Sequence, residues 1–314
     1  MRLIIYGNGE LPYCSEVHHK RSLEALGVDV LLLQENKVPT EQLLEEALEA
    51  DVMCWVHTHG FANRGALSMQ QVLRMLRSAG VPTLSYHLDL FRPIKRWEEY
   101  KGSPLWDIEY FFTVDAPMAD HLNEYTNVKA HFLPAGVLED ECYISDQPSP
   151  YANDVVFVGS KNYHIEWKWR GQLISWLRQT YGDRFTHVGG DGDTGTLRGD
   201  DLNRMYANSK VAVGDTLCMN FDYPLYHSDR IWECGGRFGA QVHPRIAGLD
   251  QWFKDGEHLL YFNFGDFDDL RSKIDWMLEH DEERERIRRA GHEMVKASGT
   301  YRHRWETILD TVFA

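Results

Sequence analysis

The chain lacks closely spaced cysteines. Its five, Cys14, Cys54, Cys142, Cys218 and Cys234, are odd in number and scattered, which argues against a disulfide frame or zinc cluster and for reduced thiols, most of them small core residues. It also lacks an apolar run long enough to span a bilayer, and Met1-Arg-Leu-Ile-Ile-Tyr6 reads as a first strand rather than a cationic signal peptide. A cytoplasmic protein with no membrane partner is therefore expected. Positive charge is scarce: 33 Lys and Arg against 48 Asp and Glu give a net charge of −15, which repels polyanions at long range. Unspecific coating of DNA is disfavoured, whereas a local basic groove stays open. Internal repeats and low-complexity tracts are missing too.

What is present is alternation. With 314 residues and 43% hydrophobic content the chain can bury two cores. Apolar runs at Arg2 to Tyr6, Val28 to Leu33, Val52 to Val56, Thr83 to His87 and Phe111 to Val114 read as short buried strands. Helical spacing falls at Ser15 to Leu26, Thr40 to Ala50 and Leu67 to Ala79, with Thr40 and Ser68 as candidate N-caps. Such alternation predicts a parallel sheet covered on both faces. The proline- and acid-rich stretch Glu139 to Ala152 reads as a hinge, after which strands restart at Val155, Phe185, Val211, Ala240 and Leu259. Asp266 to His280 and Glu282 to Ser298 are helical and rich in i,i+4 charge pairs. The expected division is a first Rossmann-like domain over 1–145, a second over 146–298, and a last helix over 299–314.

In the second half, Tyr226-His-Ser-Asp-Arg-Ile-Trp-Glu-Cys-Gly-Gly236 reads as a loop and a short helix carrying one acid, Glu233. At the carboxyl ends of parallel strands, an acid one turn into a helix can reach a ribose diol while a diphosphate rests at the helix start. Ile231, Trp232 and Cys234 leave little polar face for a merely solvated acid. Ser228 and Asp229 could contact the donor or simply cap the helix. Gly159-Ser160-Lys161 follows an apolar strand, so a tight turn there would let backbone approach a ligand. Lys161 or Arg170 would then balance a departing diphosphate, unless the segment is an ordinary turn beside a basic helix. Gly214-Asp215 closes another strand. Arg198 opens a helix near this pocket, with Asp200 or Asp201 as caps, and Gly189-Gly-Asp-Gly-Asp-Thr-Gly195 reads as a flexible loop over the donor rather than a calcium loop, whose bidentate acid would fall at Leu202.

In the first half, Trp55-Val-His-Thr-His59 and Tyr86-His-Leu-Asp89 close neighbouring strands. At strand spacing His57 and His59 share one face, as do His87 and Asp89. These four could ligate a metal, position an acceptor or deprotonate its hydroxyl. Nothing else supplies a metal's outer shell, so no metal is expected and the acid-base reading is preferred. Basic and aromatic side chains interleave in Phe91-Arg-Pro-Ile-Lys-Arg-Trp-Glu-Glu-Tyr-Lys101 and in Trp167-Lys-Trp-Arg170. Arg92, Lys95, Arg96 and Trp97 are thus candidate acceptor-binding residues for a nucleic acid, against the plainer reading of a basic amphipathic face.

Asp154-Val-Val-Phe-Val-Gly-Ser160, Leu197-Arg-Gly-Asp-Asp-Leu-Asn-Arg-Met-Tyr-Ala207, Val211-Ala-Val-Gly-Asp215, Ser228-Asp-Arg-Ile-Trp-Glu233 and the Asp255-Gly-Glu-His258 tail, in that order, resemble the donor half of group 1 glycosyltransferases. Within these the spore-maturation-protein-like branch, which has phage members, is the nearest match. The resemblance implies the GT-B architecture: two Rossmann-like domains with parallel sheets facing across a cleft, and a last helix crossing back to the first. It implies a nucleotide-sugar donor, UDP-linked, bound by the second domain without metal or other cofactor, and a bacterial or phage-infected cell as its setting. It makes Gly214-Asp215 part of the nucleotide wall. The family's second acid, eight positions before Glu233, is replaced by Leu225, with Asp229 or Asp222 as substitutes. Phage membership and the basic-aromatic segments together suggest a hydroxymethylated pyrimidine of DNA as acceptor. A small molecule, glycan or protein acceptor, or a nucleotide-sugar epimerase of the same architecture, are the alternatives.

Overall fold

A computed structural model describes residues 1–92, 94–162, 167–217 and 223–314. Two compact units emerge, one from Met1–Ala135 with Tyr301–Ala314, the other from Gly136–Thr300.

The first unit alternates β1 (Arg2–Gly7), α1 (Ser15–Ala25), β2 (Asp29–Gln34), α2 (Thr40–Leu48), β3 (Val52–Trp55), α3 (Met69–Ala79), β4 (Thr83–His87), α4 (Arg96–Tyr100), β5 (Tyr110–Thr113), α5 (Ala116–Tyr125) and β6 (Lys129–Phe132). Its sheet is parallel throughout, in the order β2-β1-β3-β4-β5-β6. Residues of both pleat faces are buried, with Ile4, Met53 and Phe111 packed among α2, α3 and α5 on one side and Leu3, Ile5 and Phe112 on the other. That two-sided burial is why the strands read as unbroken apolar runs. α3 starts on a full capping box, Ser68 with Gln71, and stops at Gly80 in the left-handed region. Thr40, expected as a cap, is instead the first helical residue of α2, its hydroxyl donating to the Leu67 carbonyl.

The second unit carries β7 (Val155–Val158), α6 (Trp169–Tyr181), β8 (Phe185–Val188), α7 (Gly199–Asn208), β9 (Val211–Val213), α8 (Arg230–Gly236), β10 (Gln241–Pro244), β11 (Leu260–Phe262), α9 (Phe267–Glu279) and α10 (Asp281–Ser298). Its parallel sheet runs β11-β10-β9-β7-β8. The presumed hinge is tied into this unit. Asn203 donates to the carbonyl of Glu141, Arg237 pairs with the Glu141 carboxylate, and Val137 bridges Thr300.

The last helix, α11 (Tyr301–Val312), returns to the first unit: Tyr301, Trp305, Ile308 and Val312 share one buried cluster with Leu3, Ile5 and Tyr86. Among the described residues no helix is long and apolar enough to cross a membrane.

Candidate functional site

The second sheet reverses its winding between β7 and β9, because the chain runs from β7 to β8 on one side and then to β9 on the other. Ligands of such sheets bind outside the carboxyl ends of the strands flanking that reversal. Here those ends are Gly159-Ser160-Lys161 and Gly214-Asp215. Gly159 has φ +144, and a Cβ there would meet the Arg230 guanidinium at 3.2 Å, so glycine both permits the turn and admits Arg230. Both carboxylate oxygens of Asp191 accept from the Lys161 backbone N–H, at 3.0 and 2.9 Å. The Lys161 side chain is exposed and forms no ion pair among the described residues.

Arg170, read from sequence as a diphosphate partner, is 3% exposed. Its Nε lies 2.9 Å from Asp215 Oδ2 and its Nη1 donates to the Ser160 carbonyl at 3.1 Å. Arg170 therefore builds the β7 turn from beneath. Trp167 Nε1 donates to the same Asp215 oxygen and Trp169 stacks on Phe267, so of the run Trp167-Lys-Trp-Arg170 only Lys168 is exposed, while Trp167 and Arg170 are buried. Burial raises the Asp215 carboxyl above its ordinary range despite Arg170. Gly214 must lack a side chain, since a Cβ would lie 2.3 Å from His243 Cδ2. Val158, Gly214, Asp215, Arg230, Gln241 and His243 line a small pocket here.

Glu233 sits in the first turn of α8, partly exposed, with no hydrogen bond or ion pair to its carboxylate among the described residues. Burial, then Asp229, push its carboxyl above the usual range against the pull of Arg237, Arg198 and Arg230. Asp229 makes no side-chain bond to the helix start, whereas Ser228 Oγ accepts from the Arg230 backbone N–H at 3.4 Å and from Arg230 Nη1 at 3.0 Å, and donates to Asp229. His227 is locked, its ring bonded to the Leu225 carbonyl and to Trp232 Nε1. Leu225, where the family's other acid would stand, has φ +67 and is bonded to Ala247. Asp222 lies outside the described residues. Arg198 is exposed and starts α7, while Asp200 and Asp201 fall inside its first turn rather than capping it. The Gly189–Gly195 loop is pinned by a bridge between its ends, by Asp193 to Arg178 and by Asp191 to Lys161. An exposed ammonium, an arginine against a glycine turn and a half-buried carboxylate with no partner among the described residues form a set that suits a diphosphate and a ribose diol.

The first unit gathers its own cluster at the ends of β3 and β4. β3 stops at Trp55 and His57 has φ +52, so the expected strand spacing of His57 and His59 does not apply. His57 Nδ1 instead meets the buried carboxylate of Glu35, which also receives Trp55 Nε1 at 2.8 Å and Asn63 Nδ2 at 3.2 Å. His59 Nε2 lies 3.1 Å from Asn8 Nδ2, joining the ends of β1 and β3. His87 is fully buried, with its ring driven to a pKa of about 3 chiefly by desolvation and then by Arg96. Asp89 is paired with Arg96 at 2.6 Å. Arg96 is thereby bound inward, whereas Arg92 lies over the Trp97 ring, Lys95 is exposed, and Trp97 continues edge-on to His121 and then to the exposed Tyr125. Glu35 and Asn8 were missed by sequence reasoning. Their partners lie far along the chain, and no spacing rule points to them. Among the described residues no group of three or more His, Cys, Asp or Glu converges as a metal cluster.

Residues 170–310 match the family model described as glycosyl transferase-like. The comparison with curated proteins finds no match. Among solved structures, an α-glucosyltransferase in complex with UDP-glucose and DNA containing an abasic site aligns over 100% of both chains, with TM-score 0.72 and 10% identity. The α-glucosyltransferase bound to UDP and a 13-mer DNA containing an HMU base gives TM-score 0.69 and 9% identity, again over 100% of both chains. A glycosyltransferase from Rickettsia africae gives 0.64 and 13%, covering 99% of this chain and 97% of the other. Likeness at such low identity speaks to architecture: the chain has the GT-B fold of two Rossmann-like, parallel-sheet units.

Proposed function

We propose that the chain is a nucleotide-sugar-dependent glycosyltransferase that moves a sugar from a UDP-linked donor to the hydroxyl of a hydroxymethylated pyrimidine in DNA. The observation that carries this reading is the full-length likeness to an α-glucosyltransferase bound to UDP and HMU-containing DNA, at a TM-score of 0.69. The glycosyl transferase-like match over 170–310 and Glu233, whose carboxylate has no hydrogen-bond or ion-pair partner among the described residues, support the donor half. Membership of the spore-maturation-protein-like branch belongs to the same proposal.

In this reading Gly159, Ser160, Lys161, Arg198, Gly214, Ser228, Asp229, Arg230 and Glu233 hold the donor. Glu233 takes the ribose hydroxyls, and Lys161 with Arg230 meets the diphosphate as charge develops on it. Arg170 and Asp215 act from below as the frame of the turn. Arg92, Lys95 and Trp97 are the acceptor-side candidates: two cations for phosphates and an aromatic face for a base. A local contact of that kind is compatible with a net charge of −15, because it needs only a few cations at one place.

The test is mass spectrometry of reactions pairing a panel of UDP-sugars with hydroxymethyluracil DNA, hydroxymethylcytosine DNA, plain DNA and no acceptor. A hexose-sized gain on one modified DNA, lost in Glu233→Ala, is the expected result. Donor turnover with no gain on any DNA overturns the DNA acceptor and points to a small molecule, a glycan or a protein, or to epimerisation.

A further inference from the structure

The backbone N–H of Lys161 closes the turn after β7, and its acceptor comes from another strand end. The loop leaving β8 reaches across to it, so that every residue involved belongs to the second unit. Asp191 Oδ1 and Oδ2 both accept this one N–H, at 3.0 and 2.9 Å. The loop that carries Asp191 is fixed on both sides of it. Gly192 N–H donates to the Gly189 carbonyl at 3.0 Å, Asp193 N–H donates to the His187 carbonyl at 2.7 Å, and Asp193 Oδ2 accepts the His187 N–H at 2.8 Å. The loop also seats directly on the β7 turn: His187 Nε2 lies 2.7 Å from the Gly159 carbonyl oxygen, and a Cβ at Gly189 would stand 2.7 Å from that same oxygen. What can move is the Asp191 side chain itself. It is 38% exposed, so rotation about its Cα–Cβ bond carries the carboxylate into water while the loop stays in place.

The place held by this carboxylate suits an anion. It lies at the carboxyl end of β7, beside the winding reversal, with the exposed Lys161 ammonium on the same residue and the Arg230 guanidinium against Gly159. Backbone N–H groups at such turns bind phosphate oxygens, and a carboxylate presents the same charged acceptors. Among the described residues no lysine or arginine pairs with Asp191, and the nearest ring nitrogen, His187 Nε2, is 3.9 Å from Oδ1. We propose that Asp191 is a built-in competitor of the nucleotide's phosphate, which occupies the Lys161 amide and rotates away when a diphosphate takes that N–H; this rests on the donor reading of the second unit. The apparent affinity for a phosphate ligand is then reduced by the fraction of time the amide is open, whereas a ligand without phosphate is indifferent to Asp191. After transfer, the return of the carboxylate to the amide speeds departure of the nucleoside diphosphate.

Calorimetry with UDP, uridine and inorganic pyrophosphate, on wild type, Asp191→Asn and Asp191→Ala, reads the competition. Asp191→Ala should tighten UDP and pyrophosphate about 3- to 10-fold and leave uridine within about a factor of two. Asp191→Asn should fall between, because its amide oxygen still accepts the N–H but without the charge. The gain should persist in about 1 M salt, where charges are screened beyond about 3 Å. A gain that vanishes there is a remote field effect and overturns the proposal. Unchanged or weaker UDP binding overturns it too, since Asp191 would then be holding the turn in its binding form. A crystal structure of the wild-type protein with UDP covers the case in which Asp191→Ala fails to fold. A phosphate oxygen on the Lys161 amide is expected there, and Asp191 still seated on it overturns the proposal. Should UDP bind neither wild type nor variants, the donor reading fails and pyrophosphate decides alone: tighter binding in Asp191→Ala upholds the anion subsite, and equal or absent binding removes it.

Discussion

Arg170 and Asp215 form a buried ion pair, with Nε 2.9 Å from Oδ2 and side chains only 3% and 1% exposed. The pair joins α6 to the end of β9, and the same guanidinium holds the Ser160 carbonyl of the β7 turn. Removing one partner leaves the other charge buried and uncompensated, which costs about 3–5 kcal/mol. Arg170→Met should lower the melting temperature and weaken UDP binding together. Unchanged melting would show that the pair is not what holds this turn.

Lys161 and Glu233 should behave differently, because neither side chain is committed within the described fold. Lys161→Met should raise the dissociation constant for UDP about 10-fold or more, the loss of one charge-assisted contact, with the melting temperature held. Glu233→Ala should weaken UDP but leave inorganic pyrophosphate binding intact, since its assigned contact is the ribose. Calorimetry with the two ligands separates these, and equal loss for both would contradict the ribose assignment.

Gly214→Ala places a methyl 2.3 Å from the His243 ring, which is itself 1% exposed and has nowhere to retreat. Overpacking of this kind costs about 1–3 kcal/mol. The variant should melt earlier and lose donor binding, whereas Gly256→Ala, with open space around its Cβ position and φ +72, should show only the cost of its backbone. A native melting curve for Gly214→Ala would mean the β9 end is looser than described.

Acid should destabilise the protein well before its carboxylates are protonated. Desolvation drives His19 and His87 to pKa values of about 3 and His243 to about 4, against 6.5 for the unfolded chain. Their contribution is complete above about pH 6.5 and is lost as pH falls from there, because the unfolded state binds protons that the fold refuses. At pH 5 each ring favours unfolding by about 2 kcal/mol. Asp215 and Glu16, both raised by burial, act in the opposite sense at lower pH, where stability grows as pH falls toward their unfolded values. Calorimetric melting at pH 7.5, 6 and 5 should therefore fall steeply, and His19→Leu should flatten the slope. His19 suits this test because it lies among Tyr86, Tyr301 and Trp305, with neither ring nitrogen bonded among the described residues.

Most strands could be read directly because both sheets are buried on two faces, so Val52-Met-Cys-Trp55 and Val155-Val-Phe-Val158 carry no polar interruption. β6 escaped because it is an edge strand: Lys129-Ala-His-Phe132 buries Ala130 and shows Lys129 to water. α5 escaped because Pro117 falls in its first turn, where proline is tolerated but reads as a breaker. Glu233 stood out in the sequence because its neighbours on a seven-residue helix are apolar. Glu35 did not, because its bond to His57 spans 22 positions and depends on a backbone turn that no pattern encodes. Asp191 was read only as part of a flexible glycine-rich loop, because its carboxylate serves an amide 30 residues away.

The return of α11 sets an order on how this protein can be made. Tyr301, Trp305, Ile308 and Val312 complete a cluster that begins at Leu3. While a ribosome is still translating, the first unit lacks that covering helix until residues 301–312 have emerged, so Leu3, Ile5 and Tyr86 stay open on one face. The second unit spans an unbroken stretch, Gly136–Thr300, and needs nothing from later in the chain. Synthesis thus starts with the first unit but closes it last, and a polypeptide cut short before Tyr301 would present its chaperones with an unfinished amino-terminal sheet in a chain whose other unit is complete.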